Sequence, residues 1–340
     1  MSDQTNRQWI LRRRPQGIIE EQDFELVERP LPSPKNGEIL VRNLWLGMDP
    51  AQRAWLLEKS YINPVQIGDV MQGECVAEVV KSNDPSIQVG TLVNGLFGWQ
   101  DYAVHPVSSE DPYRRIQMVP DHIPPQRILG AMGCPGLTGY VGMIEIGELK
   151  EGMNVLVSGA AGATGSMASQ IARIKGAKKV VGIAGGPDKC RWLLDDAKLD
   201  GAIDYKSQDL SARLAEEFPE GVDLFFDNVG GPILEQVIPK MALHGTIVMC
   251  GSISGYNNSN PPPGPKTLSL ATSYRLTLKG FMYFDHVETI EKGIGDLAQW
   301  IGEEQITVIE DIQTGLENAP KTLRRLFEGK NLGKQILKIS

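Results

Sequence analysis

Residues 154–175 read NVLVSGAAGATGSMASQIARIK, and the order of features in them decides the fold. An apolar run, Asn154, Val155, Leu156, Val157 and Ser158, enters a turn built on Gly159, Gly162 and Gly165. The next segment, residues 166–175, carries Met167, Ala168, Ile171, Ala172 and Ile174 close to helical spacing. Strand, glycine turn and helix in this order present a helix N-terminus to an anion. The glycines let the backbone approach a pyrophosphate, and the first helical turn supplies oriented N–H groups with partial positive charge. On this reading the turn 159–165 is a candidate anion contact. The spacing is G-x-x-G-x-x-G rather than G-x-G-x-x-G, with Ala160 near the place of the first close-packed glycine. The bland alternative is a tight strand-to-helix connection that binds nothing.

The pattern repeats outward. Residues 179–184 (KVVGIA) predict the next strand, followed by a helix through Leu193 and Leu194, and residues 223–226 (DLFF) and 246–250 (TIVMC) supply two more apolar runs. Strands alternating with helices and ending at glycine turns predict a parallel sheet covered on both faces, an α/β fold. The first ~130 residues have another texture, with short apolar runs at 38–42, 73–80 and 91–97 broken by Gly, Pro and Asn, which predicts a compact β domain of the barrel type. After residue 310 a helix-like segment (321–327) and a strand-like tail (335–339) are too small for a core of their own. The expected organisation is therefore residues 1–130 plus 310–340 as one domain, with 131–309 inserted as a cofactor domain. Residues 257–265 (NNSNPPPGP) read as a loop or lid.

A chain of 340 residues with 41% hydrophobic and 22% charged residues is long enough for two ordinary globular domains. Acidic residues number 42 and basic ones 34, for a formal charge of -8, and no long basic run tracks a phosphate backbone; nucleic acid is excluded as a partner. No run of ~18 apolar residues predicts a membrane span, and no secretory leader pattern follows Arg12, Arg13 and Arg14, so a cytoplasmic location is expected. Cys75, Cys134, Cys190 and Cys250 are too widely spaced for a metal knuckle and read as free thiols.

Composition at the second strand bears on the cofactor. An NAD site of this kind places a carboxylate ~20 residues past the glycines to take the ribose 2′-OH. Ala184, Gly185, Gly186 and Pro187 stand there instead. A missing acid removes a repulsion of about 4 kcal/mol against a 2′-phosphate, for unit charges ~4 Å apart at an effective dielectric of 20. Lys189 could reach that phosphate as a point charge, or be a solvated first-turn lysine; Asp188 could be a late ribose acid or a helix cap. Zinc catalysis needs three protein ligands and an open position. The N-terminal part offers only Cys75, His105 and His122 as soft or imidazole donors, none near another in sequence, so no metal is expected.

Taken together, Met48-Asp49-Pro50, Pro135-Gly136-Leu137-Thr138, the glycine turn, Phe226-Asp227-Asn228-Val229-Gly230-Gly231, residues 250–256 (CGSISGY), Pro261 to Pro265 and Asn331-Leu332-Gly333-Lys334 cover nearly the whole chain. In combination they resemble the medium-chain dehydrogenase/reductase superfamily, and within it the zinc-free branch of prostaglandin reductases and NADPH-dependent alkenal double-bond reductases. The resemblance implies a Rossmann doubly wound sheet inserted in a β-rich, GroES-like, partly open barrel domain, a homodimer, and NADP(H) as cofactor. By motif position it assigns Gly162, Ala163, Thr164 and Gly165 to the pyrophosphate turn, and Lys189, Tyr205 and Asn331 to the adenosine phosphate or its surroundings. Asn228, the run Cys250, Gly251, Ser252, Ile253, Ser254, Gly255 and Tyr256, and Phe281, Met282 and Tyr283 match segments lining the nicotinamide and its ribose. One departure is that the D-P-Y-M-R of many relatives reads D-P-A-Q-R at residues 49–53, so Ala51 stands where they carry a ring. The implied reaction is hydride addition to the β-carbon of a small α,β-unsaturated ketone or aldehyde, with Tyr256 as the catalytic hydrogen-bond donor to the developing enolate. A quinone oxidoreductase and a non-catalytic NADPH-binding protein are the alternatives.

Overall fold

The computed structural model describes residues 5–60, 62–110, 114–258 and 263–340. Residues 259–262, in the middle of the segment read as a loop or lid, lie outside the described residues, and with them Pro261 and Pro262 of the resemblance. In chain order the strands are β1 (Thr5–Leu11), β2 (Phe24–Pro30), β3 (Glu38–Gly47), β4 (Glu74–Ser82), β5 (Leu92–Leu96), β6 (Tyr102–Pro106), β7 (Gln117–Met118), β8 (Asn154–Ser158), β9 (Lys179–Ala184), β10 (Gly201–Asp204), β11 (Val222–Asp227), β12 (Met241–Met249), β13 (Thr277–Gly280), β14 (Glu310–Thr314) and β15 (Lys334–Lys338). Two compact units result, residues 1–130 with 310–340, and residues 131–309.

The first unit holds a seven-stranded sheet in the order β14-β15-β3-β4-β5-β7, with β6 also paired to β3. All its pairs are antiparallel except β14 with β15. It is therefore a mixed sheet. The parallel pair arises because the helix Ala319–Phe327 crosses between β14 and β15, and parallel neighbours need such a crossover. Leu316, Leu323 and Leu337 from the chain end share one core with Leu11, Val41, Leu46 and Trp99.

The second unit is a six-stranded sheet in the order β10-β9-β8-β11-β12-β13, every pair parallel. Strands covered on both faces should be continuously apolar. β8, β9 and β11 are buried along nearly their whole length, with Leu156, Val181, Ile183 and Phe225 in the core. The order runs outward in two directions from β8 and β11, which makes the β8–β11 seam a topological switch point, where open sheets of this kind bind ligands at the strands' carboxyl ends. Among the described residues no helix is long and apolar enough to cross a membrane.

Candidate cofactor and catalytic site

Every strand of the parallel sheet ends at the same edge, and each hands the chain directly to residues singled out from the sequence. β8 leads into the turn 159–165, β9 into Gly185 and Lys189, β10 into Tyr205, β11 into Asn228, β12 into residues 250–256, and β13 into Phe281, Met282 and Tyr283. Six separated pieces of sequence thus converge on one edge.

In the glycine turn, Gly159 has φ +59° and Gly162 precedes the helix Ala163–Ile174. No side chain caps that helix, so its first N–H groups suit an anion. Gly165 must be glycine, because a Cβ there would stand 2.3 Å from Gly159 O. Helix and strand end meet backbone to backbone.

At the end of β9 the structure supplies a carboxylate that counting along the sequence does not find. Asp204 closes β10 and accepts Gly186 N–H at 2.8 Å, Lys206 N–H at 3.0 Å and the Ser207 hydroxyl at 2.7 Å. These bonds outweigh desolvation and hold its pKa below the ordinary aspartate value. A carboxylate does reach this turn, but from the neighbouring strand, with its lone pairs spent on the loop. The Tyr205 ring and the Lys206 stem lie over Gly185, whose Cβ would meet them at 2.9 and 2.8 Å. Tyr205 is 45% exposed, as a stacking platform would be, and Lys189 is half-buried in the first turn of the helix Pro187–Asp195. Lys206 is a second cation at this turn that spacing alone does not pick out.

At the switch point, Asn228 N–H donates to Ser158 Oγ at 2.9 Å, and Asn228 Nδ2 donates to Ser158 O at 2.7 Å. Residues 250–256 fold over this corner. Cys250 and Gly251 N–H donate to Asp227 O, Ile253 N–H to Asn228 O, and Ser254 donates through N–H and hydroxyl to Val229 O. Tyr256 curls back so that its hydroxyl oxygen accepts Ser252 N–H at 3.1 Å and lies over Gly251. Burial raises the Tyr256 pKa, the Ser252 N–H partly offsetting it, and the nearby Cys250 and Asp227 push the same way as burial. The phenol keeps its proton and, with its oxygen already accepting, presents that proton as a donor. Burial likewise pushes the Cys250 thiol far up, so it is no nucleophile at neutral pH. The Phe281 ring packs over Gly142, and Met282 leads into the short turn Tyr283–Asp285. Asn331 belongs to the first unit, where its Nδ2 donates to Gly333 O at 3.0 Å.

The first unit contains an ionisable cluster of its own. Lys334, 2% exposed, places Nζ 2.5 Å from Asp49 Oδ1. Glu74 is pushed up to about 7 by burial and then by the Asp49 charge, against the pull of Lys334 and a hydrogen bond with Asn94. An acid whose pKa rises on folding favours the folded state below its unfolded value and loses that advantage as pH climbs through the folded one. Glu74→Gln should therefore raise the melting temperature relative to the parent at pH 8 and change it little at pH 5, the shift being worth up to ~3 kcal/mol. Equal effects at both pH values in a thermal melt would contradict this assignment.

Comparison with known proteins bears on these features. A family model described as "N-terminal domain of oxidoreductase" matches residues 7–110, and one described as "Zinc-binding dehydrogenase" matches residues 163–299. The chain is 38% identical over 343 residues to the NADPH-dependent curcumin reductase of Escherichia coli (strain K12), covering 99% of this chain and 98% of that one. It is 36% identical over 344 residues to the 2-alkenal reductase (NADP(+)-dependent) of Nicotiana tabacum, covering 99% and 98%. The crystal structure of CurA in complex with NADPH from Vibrio vulnificus superposes with a TM-score of 0.91 at 37% identity, covering 98% of this chain and 99% of that one.

The second description names zinc, and the donors do not fit it. Cys75 is buried with its thiol on Gly98 O at 3.4 Å and its pKa raised well above the ordinary value by burial. His105 Nδ1 is held at 2.8 Å from Pro106 O, with its ring edge-on to Phe97. Among the described residues no three His, Cys, Asp or Glu side chains are grouped to hold a metal.

Proposed function

The chain belongs to the zinc-free prostaglandin- and alkenal-reductase branch of the medium-chain dehydrogenase/reductase superfamily, and from that premise we propose that it reduces the C=C bond of α,β-unsaturated ketones or aldehydes with NADPH and without a metal. The observation that supports this most is the convergence at the carboxyl edge of the parallel sheet. An anion-ready turn, a lysine-flanked platform and a protonated tyrosine all stand there. In this reading residues 131–309 form the cofactor domain, and residues 1–130 with 310–340 the substrate domain. The turn 159–165 would hold the pyrophosphate. Lys189 and Tyr205 would take the adenosine 2′-phosphate, and Asn228 with residues 250–256 the nicotinamide ribose.

The chemistry NADPH supplies when bound is a hydride for the β-carbon of the conjugated double bond, which leaves negative charge on the carbonyl oxygen. Tyr256 answers that charge. Its O–H would donate to that oxygen, or orient the nicotinamide ribose 2′-OH, while Ser252 N–H holds the phenol in place. One well-placed donor contributes about 3–4 kcal/mol to such a step. A solvent proton on the α-carbon completes the saturated carbonyl.

The decisive experiment is NADPH oxidation with a panel of enals and enones of graded size, with the products identified. Saturated aldehydes or ketones are expected. Formation of allylic alcohols, turnover of quinones alone, or NADPH binding without oxidation across the panel would each reject the proposal, the last two in favour of a quinone reductase and a non-catalytic binding protein.

A further inference from the structure

The two strands that flank the switch point end on a pair of polar residues that face each other inside the sheet. Ser158 closes β8, Asp227 closes β11, and both are buried, at 0% and 1% exposure. Ser158 Oγ donates to Asp227 Oδ1 at 2.7 Å. The same carboxylate accepts Val229 N–H at 2.9 Å and Gly230 N–H at 3.0 Å to Oδ1 and 3.1 Å to Oδ2. All of these partners are donors, which suits an acceptor-only carboxylate. A buried acid is costly, and this one both caps the Val229 and Gly230 N–H groups that follow β11 and engages Ser158.

What it achieves is orientation. With the Ser158 proton committed to Asp227, the lone pair on Ser158 Oγ faces Asn228 N–H and accepts it. That bond sets the Asn228 backbone, and the side chain then meets Ser158 O. Because a carbonyl oxygen only accepts, it fixes which end of the carboxamide points inward: Nδ2 at 2.7 Å. The amide oxygen is thereby turned away from Ser158 as an acceptor. Asp227 meanwhile anchors Cys250 and Gly251 through its main-chain oxygen.

We propose that Ser158 and Asp227 are positioning residues for the cofactor: without touching it, they hold the Asn228 carboxamide oxygen ready to accept a hydrogen bond from a ribose hydroxyl or carboxamide N–H of NADPH. The inference rests on the NADPH-dependent function proposed above. It assigns the switch-point pair a role in affinity that operates through Asn228.

The test is a double-mutant cycle on NADPH affinity, read by calorimetric titration, with thermal melts of each protein. Ser158→Ala and Asn228→Ala should each weaken NADPH binding by about tenfold, the loss of one oriented hydrogen bond. The double variant should bind no more weakly than Asn228→Ala alone, although its melting temperature falls further. Should Ser158→Ala fail to fold, Ser158→Cys fills nearly the same space with a weaker donor and acceptor and carries the same comparison. Additive losses in affinity, or a Ser158 variant that binds like the parent, would overturn this inference alone. Absence of NADPH binding by the parent protein would overturn it together with the function on which it rests.

Discussion

Tyr256→Phe is expected to lower kcat for an enone by about 10²–10³-fold, the loss typical of one donor to a developing oxyanion, while the NADPH dissociation constant moves by no more than ~3-fold. The asymmetry follows from the geometry. Phenylalanine keeps the ring and loses only the hydroxyl over Gly251, whose partner Ser252 N–H is at an exposed residue and can be solvated. The substrate oxygen needs that proton most when it carries charge, so the effect belongs to turnover rather than ground-state binding. Because burial holds the phenol above its ordinary value of 10.0, turnover should also show no loss from tyrosine ionisation up to about pH 9. Stopped-flow measurement of the NADPH absorbance decay separates the chemical step from product release. A variant whose single-turnover rate equals that of the parent would remove Tyr256 from the reaction.

Lys189→Ala is expected to weaken NADPH by about 10–100-fold and NADH by no more than ~3-fold, since a charge-assisted hydrogen bond to phosphate is worth roughly 1.5–3 kcal/mol and NADH has no 2′-phosphate to lose. The surroundings sharpen the contrast. Asp204 lies at the same turn, and Lys206, stretched over Gly185, is the cation that remains beside it. Lys189→Ala with Lys206→Ala should therefore tip the preference towards NADH further than either change alone. Parallel titrations with the two cofactors decide it, and equal losses for both would mean that Lys189 meets something common to them.

The parallel sheet was legible where burial on both faces writes an unbroken apolar run. Residues 154–158 and 179–184 read as strands and are strands, end for end. The short strands β10 and β13 carry weaker signals, four residues each, with β13 exposed at both ends. The helix Val287–Gly302, the longest among the described residues, buries only Gly293, Leu297 and Trp300 and leaves Val287 and Ile294 exposed, so its apolar spacing does not report which side chains are covered. Within the site, the turn 159–165 is a local pattern and could be read as one. Asp204 could not, because its role depends on a strand pairing that brings β10 beside β9. The same holds for Ser158 and Asp227, which meet across 69 residues of sequence, and for Lys334 and Asp49, which meet across 285. Residues of this kind look unremarkable in sequence because their partners are set by topology, which spacing does not record.

The backbone contact at the glycine turn has a consequence for how such a site can change. With Gly165 seated against Gly159 O, the end of the cradle proposed to take the pyrophosphate has no room for variation: any side chain there displaces the helix from the sheet. The rim formed by Lys189, Tyr205 and Lys206 is attached to that rigid floor but stands at least partly in solvent, where substitutions usually alter stability by less than about 0.5 kcal/mol. On the function proposed above, cofactor choice would be carried by the part of the cradle that folding does not depend on. With that assignment, a lineage or a protein engineer would exchange one nicotinamide cofactor for the other through a few point changes at the rim while the machinery beneath it stays fixed.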